Sequence, residues 1–142
     1  MLEGMRIIEL EGLGPAPFAS MLLADLGADV IVVHKPGGAD IPGMPEQPIL
    51  DRGKRSIALD LKSAEDVNIL KQLIRTADAL IEGFRPGVVE RLGLGPDVCM
   101  EINPRLVFAR MTGWGQEGEM SSMAGHDPVS YTHLTLPTIY SV

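Results

Sequence analysis

A chain of 142 residues with 45% hydrophobic side chains can close one ordinary core, which excludes disorder as its main character. A formal charge of −7 and a pI near 4.8 weigh against nucleic acid and anionic membrane as partners. The single cysteine, Cys99, excludes an internal disulfide, and with no partner at ligand spacing it reads as a core filler rather than a metal ligand.

No apolar run approaches the roughly 18 to 20 residues of a membrane span, and no basic stretch followed by an apolar block opens the sequence, so the expected location is the cytoplasm. In chain order, "MRIIEL" is a short β-branched run, "EGLGPAP" breaks it, and "FASMLLADLG" sets Phe18, Met21, Leu22 and Leu26 at helical spacing. This predicts strand, turn and helix, with Gly27 as the helix stop. "ADVIVVH" then reads as a buried strand. The segment "KPGGADIPGMPEQPILDRGK" holds too many Gly and Pro for regular structure, and loops of that length are usually functional.

"RSIALDL" predicts another strand, and "KSAEDVNILKQLIRTAD" a helix whose apolar stripe is Val67, Leu70, Leu73 and Ile74, with Ser63 and Asp66 resembling a capping box. "ALIEGF" is a further parallel strand. "RPGVVERLGL" and "GPDVCMEINP" read as short helices with Pro at their N-terminal ends, and "RLVFARMTGWG" closes the series as a strand. This alternation predicts an α/β fold with an open, mostly parallel, doubly wound, Rossmann-like sheet. There is no internal repeat and no domain boundary before about residue 115. "GLGPAP" is not a dinucleotide fingerprint: Pro17 stands where the third glycine belongs, and Pro15 has no amide hydrogen for a phosphate.

Charge is uneven along the chain. Residues 1–33 hold Arg6 against Glu3, Glu9, Glu11, Asp25 and Asp29, whereas residues 34–62 hold Lys35, Arg52, Lys54, Arg55 and Lys62 against four acids. Such a stretch reads either as preparation for a small anion or as a solvated loop of mixed charge. In a doubly wound sheet the ligand crevice lies outside the carboxyl ends of the strands. The residues expected there are His34 and Lys35, Lys62, then Phe84, Arg85 and Pro86, and finally Trp114 between glycines, with Arg52, Lys54 and Arg55 passing nearby in the long loop. Each cation alone reads as a solubilising surface residue; together they suit a polyphosphate.

His126 is the candidate for proton transfer. It follows a glycine-rich loop, Gly125 removes bulk beside it, and an imidazole titrates near neutral pH. Asp127 either caps a following helix or orients the imidazole, and the first is favoured because adjacent side chains do not readily face one another.

The order and spacing of "MRIIELEGLGPAPFASMLLADLGADVI", "RGKRSIALDLK", "ADALIEGFRPGVVERLGLGP", "NPRLVFARMTGWGQEG" and "AGHD" resemble the alpha-methylacyl-CoA racemases within the family III, CaiB/BaiF-type, CoA-transferase group, over about residues 5 to 127. The "AGHD" element marks the racemase branch; the transferases carry a nucleophilic aspartate farther along and no His-Asp at this place. The resemblance implies that residues 1–127 are a CoA-binding N-terminal α/β domain, an incomplete part of a larger two-domain enzyme that forms an interlocked homodimer. It implies an acyl-CoA substrate with a 2-methyl branch, epimerised at its alpha carbon through an enolate. Coenzyme A is part of that substrate, and no metal or redox cofactor is called for.

The implied coenzyme A contacts fall on Lys35, where the family has an arginine, and on Leu59, Asp60, Leu61, Lys62, Arg85, Arg91, Gly125 and Asp127. Lysine keeps the charge but loses the bidentate phosphate fork. The implied catalytic histidine is His126, and its partner aspartate belongs about thirty residues farther on, beyond Val142. Two other readings stand beside this one: a family III CoA-transferase working through an aspartyl anhydride, and a non-catalytic acyl-CoA-binding module. After "GHD" the family continues into an apolar helix, whereas this chain reads "PVSYTHLTLPTIYSV". Residues 128–142 are therefore expected to be a non-native tail, and the chain an inactive fragment.

Overall fold

A computed structural model describes residues 1–38 and 49–125; His126, Asp127 and the expected non-native tail at 128–142 lie outside the described residues. Strand β1 (Arg6–Leu10) sits at the centre, with Ile8 and Leu10 on one face and Ile7 and Glu9 on the other, all four buried. It pairs in parallel with β2 (Asp29–His34) on one side and with β4 (Ala79–Glu82) on the other. Strand β3 (Arg55–Ala58) adds beyond β2 and β5 (Val107–Arg110) beyond β4, giving the order β3-β2-β1-β4-β5. The expected open parallel sheet is the one that forms. Its winding reverses between β1 and β4, and a crevice opens at that reversal, outside the ends of those two strands.

Helix α1 (Pro15–Asp25) covers the Ile7 and Glu9 face. Proline begins it because its fixed φ and missing amide hydrogen suit the first helical residue. Gly27 ends it at φ 99°, donating its N–H to the Ala24 carbonyl (2.9 Å) while Ala28 donates to Leu23 (3.1 Å), a Schellman termination. The helix is where the sequence puts it, but it packs on a different side from its large apolar residues. Of Phe18, Met21, Leu22 and Leu26 only Met21 is buried; the others are 50%, 44% and 40% exposed. Ala16, Pro17 and Ser20 face the sheet instead. The cause lies in β1: the buried Glu9 carboxylate needs donors, and it takes them from Ser20 Oγ (2.5 Å) and Lys54 Nζ (2.6 Å).

Helices α2 (Ala64–Ile74), α3 (Val88–Arg91) and α4 (Pro96–Ile102) cover the other face. Val67, Leu70, Ile74, Val89 and Leu94 close the larger core over Ile8, Leu10, Ile31, Val33 and Leu80. Cys99 is fully buried within it, and burial pushes its thiol up to about 11, the behaviour of a core filler. The cap of α2 is half a box: Ser63 Oγ accepts from the Asp66 amide (3.5 Å), but the Asp66 carboxylate accepts from the Asp60 amide (2.7 Å) rather than turning back to Ser63. Among the described residues no helix is long and apolar enough to cross a membrane.

Candidate functional site at the carboxyl edge of the sheet

Parallel pairing runs one residue past each strand, so the chain leaves the sheet at a common level. Glu11 donates its N–H to the Val33 carbonyl (3.0 Å), Leu59 to His34 (2.9 Å), and Met111 to Glu82 (2.9 Å). Above β1, β2 and β3 opens a cavity of about 550 Å³ lined by Glu11, His34, Lys35, Leu59, Asp60, Leu61 and Lys62, with Phe84, Val88 and Leu92 as an apolar wall. Five expected contacts from two separate loops thus converge on one space. A second cavity of about 420 Å³ adjoins it, lined by Gly83, Arg85, Met111, Thr112, Gly113 and Gly125 among others. Gly12, Leu13 and Phe84 line both, so the two form one groove across the β1/β4 reversal.

The far end of that groove is fixed by two glycines. Gly113 follows β5, and its backbone meets that of Gly125 so closely that a Cβ on either would collide with the other's Cα. Trp114 Nε1 donates to the Ala124 carbonyl (3.3 Å) beside this contact. Gly125, the last described residue of this segment, lines the second cavity; His126 and Asp127 lie outside the described residues.

Hydrogen bonds set what each loop shows to the groove. Asp60 spends its carboxylate on the Lys62 amide (3.0 Å) and its carbonyl on the Ser63 amide (2.8 Å), while the Leu59 side chain lies in the core. Backbone groups and the exposed Lys62 ammonium are left to face the cavity. Phe84 is held by Glu82, a fully buried carboxylate that accepts from the Phe84 amide (2.7 Å) and from Arg110 Nε (2.9 Å). Arg110 also bonds Glu90 (2.6 Å) and so holds that carboxyl below its ordinary range.

Among the described residues, no carboxylate lies within ion-pair distance of the Lys35, Lys62, Arg85 or Arg91 side chains. Arg91 is exposed on α3 and lines neither cavity. Three other cations expected near the groove are elsewhere. Arg55 opens β3 and pairs with Asp29 at the start of β2 (2.5 Å), and Arg52 pairs with Asp25 at the end of α1 (2.5 Å). Lys54 is buried on Glu9. The reason is topological: the long loop ends where β3 begins, which delivers Arg52 and Arg55 to the amino edge of the sheet and turns Lys54 inward onto Glu9 of β1.

Glu11 is a groove residue that the sequence reading counted only as charge. Its carboxylate takes the Lys35 amide (2.8 Å) and lies 3.2 Å from His34 Nδ1. The available signal was its place directly after β1, level with the end of β2. With a cationic rim and an apolar wall, the groove suits an elongated ligand that is anionic at one end and apolar at the other.

The sequence model of CoA-transferase family III matches residues 2–140. Alpha-methylacyl-CoA racemase of Mus musculus is 45% identical over 135 residues, which are 95% of this chain and 34% of that protein. Succinyl-CoA:glutarate CoA-transferase of Homo sapiens is 37% identical over 139 residues, 91% of this chain and 32% of that protein. Among solved structures, a CAIB/BAIF family protein from Brucella suis superposes with a TM-score of 0.83 at 31% identity, covering 91% of this chain and 38% of that one. The chain thus spans about a third of the length of the curated relatives it matches.

Proposed function

The chain belongs to CoA-transferase family III, and from that premise we propose that the full-length protein racemises 2-methyl-branched acyl-CoA thioesters by proton transfer at the alpha carbon. The observation that carries this reading is the groove: cations that meet no acidic partner among the described residues at one end, and at the other a glycine contact that ends one residue before His126. Phosphates of coenzyme A are assigned to Lys35, Lys62 and Arg85 of the groove, with lysine acting as a point charge and arginine as a fork, while Arg91, outside both cavities, is assigned on the family resemblance alone. The adenine is assigned to the 59–62 loop, where Leu59, Asp60 and Leu61 contribute backbone. The pantetheine arm then passes Phe84 toward Gly125.

A proton alpha to a thioester carbonyl is only weakly acidic, so its removal needs a base in place and donors for the enolate oxygen. In the proposed reaction His126 takes the proton from one face, and a carboxylate beyond residue 142 returns one to the other. For the opposite stereoisomer the two groups exchange roles. In this proposal backbone amides near residues 125–127 would steady the enolate oxygen. Residues 1–127 would form the CoA-binding part of a cytoplasmic homodimer. Exposed Leu13, Phe18 and Leu22 support a covering surface that is not among the described residues.

The test is deuterium uptake at the alpha carbon of a 2-methylacyl-CoA in heavy water, catalysed by the full-length protein. His126→Ala is expected to lower uptake at least about a hundredfold; undiminished uptake overturns the assignment. The identity to a succinyl-CoA:glutarate CoA-transferase supports a second reading, transfer of CoA between acids. It predicts label moving into an acid acceptor without exchange at the alpha carbon.

A further inference from the structure

A carboxylate in a groove that attracts polyanions opposes binding unless its charge is engaged elsewhere. Glu11 is such a group. It lines the larger cavity with its side chain 28% exposed, and both of its oxygens are engaged: Oε2 accepts the Lys35 amide (2.8 Å) and Oε1 lies 3.2 Å from His34 Nδ1. Its own amide is bonded to the Val33 carbonyl (3.0 Å), so the acid is anchored to the end of the sheet.

The grip falls where the chain would otherwise lose definition. Lys35 is the first residue after β2, and the next three are Pro36, which has no amide hydrogen, then Gly37 and Gly38, both at positive φ. The Gly38 amide returns to the Lys35 carbonyl (3.1 Å), so the Lys35 backbone is fixed at both its N–H and its C=O. A lysine has no planar fork to register it on a phosphate, so the position of its Cα decides where its ammonium can reach.

We infer that Glu11 is a positioning residue for the nucleotide end of the ligand: it holds the Lys35 backbone, with His34 as its partner, so that the ammonium meets a phosphate. Glu11 acts through Lys35 and makes no contact with the ligand itself. The inference rests on the CoA reading above and adds to it a device in β1 that tunes a contact after β2.

The test is a double-mutant cycle on the full-length protein, with CoA binding followed by titration calorimetry and folding followed by circular dichroism. Glu11→Ala is expected to weaken CoA binding about fivefold when Lys35 is present and less than about twofold in a Lys35→Ala background. Glu11→Gln, which keeps an acceptor for the Lys35 amide and the side-chain volume, is expected to recover most of the loss; if Glu11→Ala folds poorly, Glu11→Met, which keeps the volume and removes the acceptor, takes its place in the cycle. Binding of pantetheine, which lacks the nucleotide, is expected to change less than about twofold. Equal losses in both Lys35 backgrounds, or equal losses for CoA and pantetheine, overturn the inference alone. A wild-type protein that does not bind CoA removes the CoA reading together with it.

Discussion

The strands begin and end among the same residue types, yet the two edges of the sheet use them differently. At the amino edge Arg6 and Arg55 converge on Asp29, the Arg6 amide bonds Asp78, and Arg52 bonds Asp25. At the carboxyl edge Lys35, Lys62 and Arg85 border a groove, with no described carboxylate in ion-pair reach. Between the edges Lys54 and Glu9 form a fully buried pair. The difference teaches that a cation's role is set by what the topology places opposite it. Charges satisfied within the fold hold elements in register, whereas charges left over are available to a ligand.

The comparison can be broken first at its most expensive contact. Lys54→Met strands the buried Glu9 carboxylate and is expected to cost about 3–5 kcal/mol in denaturant unfolding, most of it recovered when Glu9→Leu is added. A loss below about 1 kcal/mol would mean that the pair does not hold the loop end to β1. Next, Gly113→Ala forces the Gly125 backbone away and is expected to lower kcat/KM about a hundredfold, the scale of an ångström of misplacement.

Smaller effects sharpen the contrast between the edges. Arg85→Ala and Lys62→Ala are each expected to weaken CoA binding about fivefold and to flatten its salt dependence, read by titration at several ionic strengths. Arg52→Ala, at the other edge, is expected to leave the affinity unchanged. Last comes acid stability. Hydrogen bonds from Arg55 and Arg6 hold the Asp29 carboxyl below its ordinary 3.8, so its stabilisation is complete above 3.8 and is lost as pH falls through the lower folded value. Asp29→Asn is expected to flatten the fall of Tm below about pH 4 by about 1–2 °C, measured by calorimetry across pH.

Much of the fold was legible because β-branched runs, Gly and Pro breaks and apolar stripes alternate in phase with a βα pattern, and a single cysteine leaves no internal disulfide to override it. The packing side of α1 was not legible. Phe18, Leu22 and Leu26 carry the apolar signal, but the side that packs is decided by Glu9 of β1, which draws in Ser20 and Lys54 from sequence distances that no local period encodes.

The groove shows the same division. Lys35, Lys62 and Arg85 could be placed at strand ends from the order of elements alone, whereas Leu59, Asp60, Leu61 and Gly125 came only from the family resemblance. Arg52 and Arg55 could not be separated from them, because a loop's composition does not say to which edge its last residues are delivered. Glu11 escaped notice because its meaning depends on parallel register: only the pairing of β1 with β2 sets its carboxylate beside His34 and Lys35.

The most direct measurement is amide hydrogen exchange of the full-length protein with and without CoA. The account predicts slowed exchange at Glu11, Gly12, Lys35, residues 59–62 and Phe84, with no change around Arg6, Asp29 and Arg55. Protection centred on the amino edge, or no protection at the carboxyl edge under saturating CoA, would contradict it.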